Sequence, residues 1–175
     1  QISVVRLKSN WLQVWKFMWE RIVIWSANRF RRYHLFDVDI ANTGTDITSL
    51  PEFRQADVIH LHWVNQGMLS LKDIRKILTS GKPVVWTMHD MWPCTGICHY
   101  ARECRNYEQE CHHCPYIYGG GGKKDLSQPF HDPFTTHSQS RGNQNPRIPT
   151  RLFGVFHKFP TPYYGYYNKF NKIDR

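Results

Sequence analysis

All five cysteines of this 175-residue sequence, Cys94, Cys98, Cys104, Cys111 and Cys114, fall in one short stretch. The last four follow the spacing C-x5-C-x6-C-x2-C. Its CxxC end is half of a zinc-knuckle pattern, and four thiolates complete a tetrahedral site. The first interval is longer than the usual two to four residues, and His99, His112, His113 and Cys94 stand close by as other ligands. Packed free thiols and disulfides are the competing readings; an odd number of cysteines and no export signal argue against disulfides. The expectation is one structural zinc on Cys98, Cys104, Cys111 and Cys114, with no open position for a substrate.

Histidines supply the second set. His60 and His62 are two apart, so on a strand they share a face, about 6.6 Å apart along it. They could chelate zinc given a third ligand; the plainer reading is one hydrogen-bonded core histidine and one facing a ligand. His89 and Asp90 are adjacent. Neighbours on an extended chain point apart, so they do not read as a dyad, yet His89 is well placed to meet a substrate and Asp90 to orient it.

These groups need elements to hold them. Residues 11–28 carry Trp11, Val14, Trp15, Met18, Ile22 and Trp25 at helical spacing, an apolar face interrupted by Lys16, Glu20 and Arg21. Arg29, Arg31 and Arg32 follow where they complement the helix dipole; a phosphate or lipid-headgroup contact is the functional alternative. Residues 36–41 read as a short alternating strand and 57–62 as a second. Residues 69–79 read as a helix with Ser70 as a candidate cap and Gly81 as its stop, and 83–88 as a third strand. Strand, helix, strand from position 57 is a βαβ unit, which implies parallel strands and a right-handed crossover. Ligands bind such sheets at the carboxyl ends of the strands. That singles out residues 42–44, 62–66 and 89–96, and with them Asn65, Thr95 and Gly96.

The composition, 41% hydrophobic and 21% charged, fits one globular unit. With no run of 18 apolar residues, no membrane-spanning helix is expected. Residues 1–10 show no signal-peptide pattern, so a cytoplasmic location is expected. The net charge of +9 is uneven: residues 1–118 hold 14 basic and 11 acidic side chains, residues 119–175 nine and three. The division is therefore 1–118, an ordered domain, and 119–175, a tail rich in Gly, Pro and aromatics. So few aliphatics are poor compensation for chain entropy, and the tail is expected to be largely irregular.

The motifs DVIHLHW, WTMHDMWPCTG and the C-H-Y…C…Y…C-x-x-C-P loop together resemble bacterial family 4 (group 1) glycosyltransferases, enzymes of polysaccharide and lipopolysaccharide gene clusters. The resemblance runs from about Arg6 to about Gln128, with KKDLSQ its last piece. It implies one half of a GT-B fold: a Rossmann-like parallel sheet with flanking helices, here with a Cys-rich loop and an irregular tail. It further implies transfer of a sugar from a nucleotide-sugar donor to a hydroxyl of a glycan or lipid-linked acceptor, with retention at the anomeric carbon. By resemblance His89, with Asp90 beside it, lies against the donor sugar, and His62 and Trp63 lie in the acceptor wall. Asn65, Thr95 and Gly96 join the substrate site. The family's opening strand survives at most as residues 2–5, and its donor domain has no counterpart. Two such domains need roughly 300 residues or more. The expectation is an acceptor-side piece, inactive alone, with peripheral contact to the inner-membrane surface and no nucleic-acid partner.

Two other classes compete. A zinc-supported nucleic-acid-binding module would use Tyr163, Tyr164, Tyr166 and Tyr167 among basic residues to stack bases. The tail lacks an RNA-binding pattern, and its charge is spread rather than striped. A metal-dependent hydrolase on His60, His62 and His89 lacks carboxylates at ligand spacing.

Overall fold

A computed structural model describes residues 10–108, 111–120, 122 and 125–127, and the backbone of 152–156. Residues 2–5 and the tail tyrosines lie outside the described residues. The chain is α/β: α1 (Asn10–Ala27), α2 (Pro51–Gln55), β1 (Ile59–Leu61), α3 (Leu71–Leu78), β2 (Val84–Met88) and β3 (Leu152–Phe156).

The expected βαβ unit is present. β1 and β2 pair in parallel with Ile59 opposite Val84 and Leu61 opposite Trp86, and α3 makes the crossover. Ser70 starts α3 with a reciprocal box: its hydroxyl accepts the Asp73 N–H at 3.2 Å while the Asp73 carboxylate accepts the Ser70 N–H at 3.0 Å. Ile74, Ile77 and Leu78 then point at Leu61, Val84 and Trp86 in one buried cluster. Each such aliphatic side chain contributes about 1.5–3 kcal/mol on burial. Gly44 lets the preceding loop reach this capped end, because a Cβ there would lie 1.9 Å from the Ser70 nitrogen.

β3 adds a third parallel strand beside β2, in register from Val84–Leu152 to Met88–Phe156. It falls inside the stretch expected to be largely irregular, where the sequence reading placed no strand.

Two expectations change. Residues 36–41 form no regular strand: Phe36 and Asp37 lie in a turn, Ala41 takes a positive φ of 43°, and Val38 makes a single antiparallel bridge to Cys98. Asp39 donates its N–H to Ile97 O at 2.8 Å, and His99 donates to Asp37 O at 3.1 Å. The N–H groups of Ile40 and Ala41 both donate to Glu20 Oε1 at 2.7 Å, so a helix carboxylate stands where a neighbouring strand would be.

The helix over α1 forms as expected but faces the other way. Trp11, Trp15 and Trp19 are 78%, 68% and 56% exposed, while Glu20, Arg21, Ile24 and Ala27 are buried. The charged residues that break the apolar stripe are the ones that dock. Lys16 donates to Gly44 O and to Thr45 Oγ1, and Arg21 donates to Leu35 O, Val38 O and Asp39. The irregular segment 35–45 presents carbonyls, N–H groups and a carboxylate that only a polar helix face can satisfy.

Candidate functional site

β1 alternates buried, exposed, buried, which leaves Ile59 and Leu61 in the core and His60 on the opposite face. His62, just past the strand, is on that face too. Their rings lie 4.2 Å apart between centroids, shorter than the bare strand repeat because they tilt toward each other. His60 Nε2 meets the Thr87 hydroxyl of β2 at 2.8 Å. His62 Nδ1 lies 3.1 Å from Nε2 of His89, the residue that follows β2. Three histidines thus run across the carboxyl ends of two parallel strands, where the βαβ topology opens its crevice. All three are exposed.

Asp90 turns the other way. It is buried, accepts the Trp92 N–H at 3.0 Å on Oδ1, and meets His99 Nδ1 at 2.5 Å on Oδ2. The other ring nitrogen of His99 lies 3.0 Å from Asp39 Oδ2. Burial opposes charging this imidazole, but the hydrogen bonds and charges of Asp39 and Asp90 outweigh it and raise its pKa to about 9. At neutral pH His99 is therefore a cation. Trp63 stacks on it, with centroids 5.3 Å apart and planes 11° apart, while keeping a half-exposed face beside His62. This buried triad holds an aromatic platform at the crevice wall. Spacing could not reveal it: Asp39 and His99 are sixty residues apart, and His99 stood out only as a spare cysteine-loop ligand.

The remaining expected residues sit around this frame. Asn65 is buried in the turn after β1, and its Nδ2 has no hydrogen-bond acceptor. Thr95 donates its hydroxyl to Cys98 O at 2.6 Å. Gly96 donates its N–H to Cys111 Sγ at 3.2 Å, and a Cβ there would lie 2.9 Å from Cys111 Cβ. Both residues therefore secure the loop after β2 to the cysteine-rich segment, and their polar contacts are not with the histidines.

Cys98, Cys104, Cys111 and Cys114 line one pocket with Gly96 and Tyr107. Cys94 stands apart, its Sγ 3.9 Å from Met88 Sδ. All five are free thiols. Burial, reinforced by the neighbouring thiols, pushes Cys98 and Cys114 up to about 12 and Cys111 upward. The donor set is the soft one zinc prefers. As they stand, no three metal-binding side chains among the described residues are grouped to hold an ion, the histidine row included.

No protein-family model matches the chain. No solved structure matches it. It is 33% identical over 66 residues to the Escherichia coli (strain K12) protein described as "Putative colanic acid biosynthesis glycosyl transferase WcaC". The match covers 34% of this chain and 16% of that protein, so the chain spans a small part of its relative's length. This similarity links the chain to glycosyltransferases.

Proposed function

We propose that the chain is the acceptor-side part of a retaining glycosyltransferase of the family 4, GT-B kind, moving a sugar from a nucleotide-sugar donor to a hydroxyl of a glycan or lipid-linked acceptor. The observation that carries this reading is the His62–His89 contact at the ends of two parallel strands, with the Trp63 platform beside it. An exposed aromatic face suits the apolar face of a sugar ring, and paired imidazoles suit its hydroxyls. In this reading His89 faces the donor sugar, and His62, Trp63 and Asn65 line the acceptor side. Asp90, through His99, positions Trp63 rather than reacting, and Thr95 and Gly96 fix the loop.

Departure of the nucleoside diphosphate needs fixed positive charge. That group is assigned to a donor-binding half, so the chain alone should not turn over. The structural zinc expected from the cysteine spacing belongs to this reading as a staple for the loop after β2. Four thiols on one pocket support it, and it requires them to draw together. No step of the transfer passes through it.

Histidine-resolved NMR of the chain, titrated with glycan acceptors, tests the proposal. Shifts confined to His62 and His89, with His34 and His112 unmoved, support it. Unmoved His62 and His89 signals, or turnover of a nucleotide-sugar by the chain alone, overturn it.

A further inference from the structure

His62 and His89 meet nitrogen to nitrogen. Nδ1 of His62, just past β1, and Nε2 of His89, just past β2, are 3.1 Å apart, with their rings tilted by 31°. Two ligand nitrogens, each about 2.0–2.1 Å from one cation and set between a right angle and the tetrahedral angle, stand about 2.8–3.4 Å apart. The pair therefore already has the bite of a chelate. Parallel pairing of Leu61 with Trp86 fixes the spacing of the two strand ends that carry it. His60, its ring 4.2 Å from that of His62, has Nε2 on the hydroxyl of Thr87, a buried residue of β2. It braces the row and is not one of the two ligands.

We propose that His62 Nδ1 and His89 Nε2 chelate one divalent transition-metal ion of the nickel, copper or zinc kind, with water in the remaining positions. Two neutral imidazoles in hydrogen-bond contact share one proton; when it passes to the far nitrogen of its own ring, both lone pairs are left for the cation and no proton is lost. Imidazole suits these borderline ions, whereas magnesium and calcium prefer oxygen ligands. The neighbouring carboxylate, Asp90, is buried and already meets the Trp92 N–H and His99. Both imidazoles are exposed, so water reaches the open positions. Two is the ligand number available, because among the described residues no group of three metal-binding side chains forms there. The ion takes the nitrogens that meet hydroxyls in the sugar-transfer reading, so bound metal excludes the acceptor. That exclusion rests on the sugar-transfer reading; the chelate rests on the geometry alone.

Titration of the 175-residue chain with nickel(II), followed by calorimetry, absorbance and histidine-resolved NMR, tests the site. Paramagnetic broadening should reach the His62 and His89 ring signals before those of His34, His112 and His113, without a thiolate-to-metal charge-transfer band. His62→Asn and His89→Asn should each weaken binding by at least about tenfold, the effect that even an outer partner of a metal ligand commands. Both side chains are exposed, so the unfolding midpoint should not move. Saturating glycan acceptor should weaken nickel binding, as reciprocal linkage requires. Absence of nickel binding, broadening that leaves His62 and His89 sharp, or a thiolate band with affinity unchanged in both variants overturns the chelate. Unchanged nickel affinity at acceptor concentrations that shift His62 and His89 overturns the exclusion. A chain that binds nickel on this pair but binds no acceptor supports the chelate and overturns the sugar-transfer reading.

Discussion

His99 is held by two buried carboxylates, and the consequence is measurable. Its pKa is about 9 in the folded chain against an ordinary 6.5, because Asp39 and Asp90 outweigh the cost of burial. A folded pKa raised above the unfolded one gives stability that is fully present below pH 6.5 and is lost as pH rises through 9. The whole effect is on the order of 3 kcal/mol. Urea denaturation should therefore show stability falling between pH 6.5 and 9, and His99→Gln should flatten that slope; an unchanged slope in the variant would assign it to other groups. The cysteines give a second residue-scale test. Protein purified without chelator is expected to hold one zinc, with Cys98, Cys104, Cys111 and Cys114 shielded and Cys94 alone titrating readily after partial unfolding. Less than about a tenth of an equivalent of zinc, with all five thiols titrating together, contradicts the zinc assignment.

At the scale of elements, α1 shows what periodicity can and cannot tell. Its residues are helical at the expected positions, but the apolar stripe does not mark the buried side. The deciding partners are the carbonyl and N–H groups of residues 35–45, and a hydrophobic pattern carries no information about them. Glu20→Ala would leave the N–H groups of Ile40 and Ala41 buried and unpaired, and should cost about 2–4 kcal/mol in chemical denaturation. Trp15→Ser, on the exposed stripe, should stay within about 0.5 kcal/mol. Equal losses from both would mean that the tryptophan face is packed. The βαβ unit was legible because everything defining it is local: Ser70 and Asp73 for the cap, Ile74, Ile77 and Leu78 for the face, and apolar runs for β1 and β2. The segment 36–41 was not, since Asp39 turns inward to Arg21 and His99 and interrupts the strand pairing its alternation suggested. The candidate site divides the same way. His62 and His89 follow from topology, whereas the stacking of Trp63 on His99 depends on residues distant in sequence.

On the molecule as a whole, two surfaces stand out among the described residues. The carboxyl ends of β1 and β2 present His62, His89 and Trp63, the residues proposed to meet the sugars, while α1 leaves Trp11, Trp15 and Trp19 exposed. The crevice assignment is decided by turnover of wild type against His89→Ala, in protein joining this chain to a nucleotide-sugar-binding half. His89 is exposed and follows the strand, so its loss should spare the fold. In the variant kcat should fall by about a hundredfold or more with the unfolding midpoint unchanged, the scale set by removing one preorganised polar contact to the reacting centre. Wild-type turnover in the variant, or an unfolded domain whose remaining folded fraction has normal activity, would contradict it.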